Sequence, residues 1–232
     1  SLAAAVLISA GLGSAAIYTF YRAIFSRTIP AATDSDHKNV TVSLSDGSII
    51  TLNRSTTITY KANFGKRKRN VTLEGEAFFE ITPDAAKPFI IDAGKANIRV
   101  VGTSFNVITG KSDSPVEVFV TNGTVMLTDN SGNRNIMVEP GYIGTMDSDH
   151  SGKILNRDPN YMAWNTGRLE YDNQPLETVF KDLKRVYNMD IVAEDPSILS
   201  SPWTSAIVSQ SSDTIISIIC ASFNLGYSKD GN

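Results

Sequence analysis

The sequence has very little cysteine and histidine: one Cys and two His in 232 residues. A single thiol excludes a disulfide framework and any Cys-rich zinc module. Without Cys/His clustering, neither a metal site nor a cofactor is expected. An excess of positive charge is also missing. With 21 Lys and Arg against 24 Asp and Glu, the net charge is −3. Nucleic acid is therefore not an expected partner. What is present is globular in character. Apolar residues make up 41% and charged residues 19%, a balance that can bury a core and does not fit a disordered chain. The length suggests one large or two small domains.

One stretch lacks charge altogether. From Leu2 to Tyr21, twenty residues pass without Asp, Glu, Lys, Arg, His or Pro. At about 1.5 Å per residue such a run spans roughly 30 Å, the thickness of a bilayer's hydrocarbon core. Tyr18, Phe20 and Tyr21 gather at its end, where aromatic residues sit at a membrane interface, and Arg22 follows. The expectation is a transmembrane helix over 1–22. A signal-peptide core and a buried helix are the alternatives. The chain opens on Ser, so it is expected to be a fragment or a processed product. Arg22 and Arg27 weakly favour a cytoplasmic C-terminal side.

Residues 23–39 contain Pro30 and a polar AATDSDHK stretch without periodicity, and predict a linker with a solvated His37. From Val40 the apolar period becomes two. Asp46-Gly47, Asn122-Gly123 and Ser131-Gly132-Asn133 supply hairpin turns. Twelve short strands are expected between Val40 and Met146, with no helix-period stretch, so 40–148 predicts an all-β sandwich, roll or solenoid. Lys66-Arg67-Lys68-Arg69 is the only dense basic run. It predicts a solvated hairpin tip, with an acidic partner or lipid headgroups as the alternative.

Within 160–232 the pattern alternates between strand and helix. Arg168–Tyr171 is a short strand. Asn173 and Pro175 suit a helix start, and Leu176, Val179, Phe180, Leu183, Val186 and Tyr187 lie on one helical face. Asn188 ends the helix and Met189–Val192 returns as a strand. The unit recurs 36 residues on: Val179 matches Ile215, Leu183 matches Ile219, Tyr187 matches Phe223 and Asn188 matches Asn224. Ser211 or Ser212 caps the second helix, and Thr204–Val208 precedes it. The expectation is βαβ twice, with Cys220, Trp164 and Trp203 as packing residues.

The runs DGSIITLN at 46–53, VTLEGEAFFE at 71–80, KPFII at 87–91, VGTSFNV at 101–107, GTV at 123–125 and Pro140-Gly141 come in the order typical of the FecR family. WNTGRLEYDNQPL at 164–176 resembles the C-terminal domain of Bacteroidota members, similar to the short N-terminal domain of secretins and TonB-dependent receptors. The resemblance covers about 40–232 and implies a transmembrane anti-sigma factor for iron-siderophore or glycan uptake. Such a protein crosses the inner membrane once with its C-terminal region in the periplasm, which overrides the weak charge count. It receives the signalling domain of a TonB-dependent outer-membrane receptor and controls an extracytoplasmic-function sigma factor. Sigma binding belongs to a cytoplasmic N-terminal domain that these residues do not include. The resemblance also implies one chemical candidate, self-cleavage between Gly102 and Thr103 by attack of the Thr hydroxyl on the preceding carbonyl. The plainer reading is a strand turn whose Gly serves geometry.

Two other classes compete with this relay. A membrane-tethered carbohydrate- or ligand-binding β-sandwich would expose aromatics on one face, with Tyr60, Phe64 and Tyr142 as candidates. A glycosidase would place two carboxylates across a cleft. Glu74, Glu76 and Glu80 lie in one strand region, and i, i+2 spacing puts the first two on one face. The expectation is no enzyme.

Overall fold

Period-two alternation from Val40 onward has one stable outcome, sheets with one face buried. The computed structural model describes residues 27–110 and 114–229. The expected transmembrane helix over 1–22 lies outside them. Among the described residues no helix is long and apolar enough to cross a membrane. The chain divides into a unit ending at Leu155 and a second unit, Asn156–Asn232.

The described first unit is built from β1 (Thr28–Ala32), β2 (Val40–Ser43), β3 (Ile49–Leu52), β4 (Thr57–Lys61), β5 (Arg69–Glu74), β6 (Glu76–Glu80), β7 (Phe89–Asp92), β8 (Ala96–Val100), β9 (Ser104–Ile108), β10 (Val116–Asn122), β11 (Val125–Asp129), β12 (Asn135–Val138), β13 (Tyr142–Met146) and β14 (Ser151–Leu155). They form two seven-stranded sheets. One has the order β1-β4-β5-β7-β8-β11-β12, the other β14-β13-β10-β9-β6-β3-β2. A single apolar core draws on both, with Ile58, Leu73, Phe89, Ile98 and Leu127 from the first and Ile50, Phe79, Phe105 and Val118 from the second. Phe79 stacks on Phe105 at 5.3 Å between ring centroids. Every pairing is antiparallel except β5 with β7. Of the three architectures left open by the strand pattern, this is the sandwich. A solenoid would stack parallel ladders.

Two differences from expectation lie at the margins. The span 23–39 is not wholly a linker: β1 pairs along β4 from Thr28↔Lys61 to Ala32↔Thr57. Pro30 is tolerated because β1 is an edge strand, where its missing N–H breaks no ladder. β14, also an edge, pairs with β13 beyond the expected end of the domain at 148. The signal of such strands is weak because each has only one neighbour to pattern against.

In the second unit, α1 (Ala163–Thr166) precedes β15 (Arg168–Pro175), α2 (Leu176–Tyr187), a 3-10 turn (Pro196–Ser200), β16 (Pro202–Val208) and α3 (Ser212–Phe223). The helices cover one face of an antiparallel β15–β16 ribbon, with Leu169, Tyr171, Trp203 and Ile207 packed on Val179, Leu183, Ile215 and Ile219. Both helices end as the repeat predicts, on Asn188 and Asn224 in the left-handed region at φ 58° and 53°. Ser211 caps α3 by accepting the Thr214 N–H.

Two readings of this unit need correcting. Asn173 is not a cap. It sits at φ 50° in an irregularity of β15, where its N–H donates to Thr204 Oγ1 at 2.9 Å. Pro175 is the N-cap, and the Leu176 N–H donates across the ribbon to the Ser201 carbonyl. The second strand of each βαβ is also absent. Residues 189–193 and 225–228 carry no strand and join no ladder among the described residues. The αL turn at Asn188 keeps the chain beside α2, where Lys184 pairs with Asp190, so Met189–Val192 meets no neighbouring strand.

Candidate functional site

The motif residues converge where the chain crosses between the two sheets. Gly75 makes that crossing at φ 108°, and a Cβ there would lie 2.5 Å from Thr56 Oγ1, so only glycine fits. Its N–H donates to Thr109 Oγ1 at 2.6 Å, and its carbonyl accepts from the Thr109 N–H at 2.8 Å. This crossing overturns the same-face reading of Glu74 and Glu76. Glu74 ends β5 in one sheet, and Glu76 starts β6 in the other.

Glu76 is instead the hub of a polar network. Its Oε2 accepts from Asn53 Nδ2 at 2.6 Å and its Oε1 from Asn106 Nδ2 at 2.8 Å. Thr56 Oγ1 bridges the Glu76 N–H and carbonyl, each at 3.0 Å. Asn106 is fully buried, and its Oδ1 has no partner among the described residues. A carboxylate occupied on both oxygens by amides is a structural clasp, not half of an acid–base pair. Asn53 and Asn106 carried no separate sequence signal. Their alternation with apolar neighbours made each look like any strand residue.

Gly102-Thr103 lies in the short link between β8 and β9. A Cβ on Gly102 would meet the Pro83 ring at 2.9 Å, and a Cβ on Gly123 would meet the Gly102 carbonyl at 2.9 Å. Thr103 is buried, and its hydroxyl donates to the Thr124 carbonyl at 3.1 Å. The Thr103 carbonyl accepts from the Ile81 N–H. Among the described residues no carboxylate or imidazole reaches Thr103 Oγ1. The glycines serve close backbone approach.

The basic run divides. Lys66, Arg67 and Lys68 are exposed, but Arg69 is 1% exposed. It begins the in–out alternation of β5 and therefore points inward. Its guanidinium donates to Asp46 Oδ2 at 3.1 Å and to the carbonyls of Thr82, Asp84 and Lys87. A buried cation is tolerable because this set pairs its charge and engages four of its five N–H donors. The four-residue charge run concealed the switch from turn to strand.

The other candidates scatter. Phe64 is buried against Phe89, Tyr60 packs on the core of the first sheet, and Tyr142 lies in the second under Lys153. They form no common exposed face. A cleft of about 600 Å³ at one end of the sandwich is lined by Asp129, Asp147 and Asp149 with Lys95 and Asn130. Asp129 is committed to Ser131, Asn133 and Arg134, and Asp147 to the Asp149 and His150 N–H groups. The Ser131 hydroxyl foremost, and the Asp147 turn N–H groups, hold these carboxyls below their ordinary range. Among the described residues no three acidic, His or Cys side chains converge on a metal-sized point. His37 is exposed and its ring nitrogen pairs with Asp34 at 2.7 Å. Cys220 is a free, buried thiol.

The second unit has a polar clasp of its own. Asp182 accepts from Asn160 Nδ2 at 3.0 Å and from Arg185 at 2.8 Å, and Arg185 also reaches the carbonyls of Asn160 and Tyr161. Asn160 brackets Glu170 in β15 through its N–H and carbonyl. Burial, with Asp182 nearby, pushes the Tyr171 phenol far above its ordinary range. What remains open here is the ribbon. β15 carries Arg168, Glu170 and Asp172, whereas β16 carries no charged residue, and neither strand has a further neighbour among the described residues.

A sandwich whose polar motif residues brace the fold is followed by a small unit whose two-stranded ribbon has no further neighbour among the described residues. Residues 31–126 match the FecR protein family and residues 168–232 match the FecR C-terminal family. No curated protein matches the chain. Two crystal structures of a proposed anti-sigma factor from Parabacteroides distasonis, at 1.65 and 2.50 Å resolution, align with a TM-score of 0.62. They are 26% and 27% identical, covering 88% of this chain and 95% of theirs. The chain belongs to the FecR family of anti-sigma factors, a regulatory family of signal transducers that implies a sigma factor as partner.

Proposed function

We propose that this chain is the receiving part of an anti-sigma factor anchored once in the inner membrane, with both folded units in the periplasm. A TonB-dependent outer-membrane receptor offers its signalling domain to the second unit, and the response controls an extracytoplasmic-function sigma factor held by a cytoplasmic domain. Iron-siderophore or glycan uptake is the regulated process. The observation that carries the reading is the β15–β16 ribbon in a FecR C-terminal region. A two-stranded ribbon is marginal alone, and an edge without charge accepts a further strand. β16 is the uncharged edge, with Ala206 and Val208 exposed along it.

Capture by the immobilised signalling domain of a neighbouring receptor tests this. The wild-type chain binds, Ala206→Lys with Val208→Lys does not, and Tyr60→Ala binds normally. Undiminished capture of the double Lys variant would sink the β16 site. Absence of capture in the wild type would sink the receptor. For Gly102-Thr103 the proposed role is geometric, so freshly purified and long-incubated protein gives one intact mass. A fragment pair divided at that bond would restore self-cleavage.

A further inference from the structure

Asn122 is the only asparagine in the chain followed by glycine. It ends β10 in the second sheet, and Gly123 leads to β11 in the first. The pair therefore links two layers and does not close a hairpin. β10 reaches the link through an irregularity: Val120 pairs with Phe105 and Asn122 with Ser104, which leaves Thr121 over. Gly123 stands at φ 81°, and a Cβ on it would lie 2.9 Å from both the Gly102 carbonyl and Thr103 Oγ1. Two hydrogen bonds clasp this link to the one between β8 and β9. The Thr103 hydroxyl donates to the Thr124 carbonyl at 3.1 Å, and the Thr121 hydroxyl donates to the Ser104 carbonyl at 2.9 Å.

The reacting groups within the clasp are open. The Asn122 side chain is exposed. Among the described residues, neither its carboxamide nor the Gly123 N–H has a hydrogen-bond partner. Asp46-Gly47 is the opposite case. The Asp46 carboxylate accepts from Ser48 and Arg69, and the Gly47 N–H donates to the Leu44 carbonyl at 3.1 Å. Asn53, Asn106 and Asn160 are likewise engaged through their amides, and each precedes a residue with a side chain. At Asn122 an open carboxamide, an unpaired following N–H and a missing Cβ coincide.

We propose that Asn122-Gly123 is a self-modification site, where the asparagine converts to isoaspartate and the lengthened backbone loosens the crossing between the sheets. The Gly123 nitrogen gives up its proton to water, bonds to Asn122 Cγ and closes a cyclic imide. The Cγ–Nδ2 bond breaks, and Nδ2 leaves as ammonia after taking up a proton. Water then opens the imide. Attack at Cγ restores the ordinary backbone with an aspartate side chain. Attack at the Asn122 main-chain carbonyl leaves Gly123 joined through Cγ, which is isoaspartate. Nothing is oxidised or reduced, and water is the only co-reactant. Both partners of the ring closure are held in one dipeptide, so no encounter step is needed. Isoaspartate adds one carbon to the backbone path, about 1.5 Å. The link has no room for it, because Gly123 already abuts Gly102 and Thr103. Conversion therefore parts Thr124 from Thr103 and Thr121 from Ser104.

The test incubates the full chain in mildly alkaline buffer, then digests it for mass spectrometry. Isoaspartate is detected with an isoaspartyl methyltransferase and a labelled methyl donor. Deamidation is expected to concentrate in the peptide that holds Asn122, with isoaspartate as its main product, and to be lost there in Asn122→Gln. The converted chain, enriched by ion exchange, is expected to melt at least about 3 °C below the unconverted chain. Asn122→Asp gains the charge without the extra carbon and is expected to melt with the wild type. Conversion in the urea-unfolded chain but not in the folded one overturns the site, because the fold would then keep the two groups apart. A converted chain that melts with the unconverted one overturns the loosening. So does an Asn122→Asp variant that melts as low as the converted chain. The backbone stays unbroken throughout, so the result is independent of any fragment pair at Gly102-Thr103.

Discussion

Among the described residues, the first unit closes its hydrogen-bonding groups into two seven-stranded sheets around one core, while the second leaves a two-stranded ribbon open on both edges. The same alternating chemistry produces both. The difference is the number of strands available to satisfy each edge. A unit with fourteen strands presents four edge strands, and their exposure is blunted by Pro30 on β1 and by Lys153 on β14. A unit with two strands is all edge. Backbone pairing is therefore more complete in the sandwich, and the ribbon is where the proposed docking falls.

That contrast can be broken most strongly at the aromatic stack. Phe79→Ala is expected to cost the first unit about 3–5 kcal/mol, because a fully buried ring on Phe105 leaves a cavity. Both Trp residues, Trp164 and Trp203, lie in the second unit. Trp fluorescence should therefore melt unchanged while the far-ultraviolet β signal melts early. A matching shift in both signals would show the units to be one cooperative body. Arg69→Ala comes next, at about 3 kcal/mol, since it removes the cation paired with Asp46 and the guanidinium donors of three carbonyls. Arg67→Ala, two residues away and exposed, should stay within about 0.5 kcal/mol in the same urea titration. In the second unit, Asn160→Ala removes one donor from Asp182 and the bracket on β15, for about 2 kcal/mol. Here it is the Trp signal that should move and the β signal that should not.

A last effect is a pH dependence confined to the sandwich. Burial, aided by the nearby Arg54, lowers the Lys38 ammonium from 10.5 to about 8. Between those values the unfolded chain binds more protons than the folded one, so stability rises with pH across that window. Lys38→Met should flatten the rise in melting temperature between pH 8 and 10.5. An unchanged slope would assign it to another group.

Strand positions from Val40 to Met146 were legible because the apolar residues alternate and turn residues such as Asp46-Gly47 and Asn122-Gly123 separate some of the runs. The helix ends of the second unit were legible because Asn188 and Asn224 recur at matching positions and tolerate the left-handed region. Less was legible at the sites. Arg69 was concealed within a charge run, and Glu76 looked like a partner of Glu74 until Gly75 sent the two into different sheets. Met189–Val192 has strand chemistry, yet Val192 is 89% exposed and pairs with nothing among the described residues.

Local sequence thus determined which residues alternate, where turns and caps fall, and that twenty residues without charge precede a polar body. It also carried the motif order that placed the chain in its family. Only the tertiary structure decided which strands become neighbours and that Arg69 turns inward while Arg67 stays out. The physical reason is range. Propensity, capping and alternation act over a few residues. Sheet order and buried-charge compensation depend on contacts between residues dozens of positions apart.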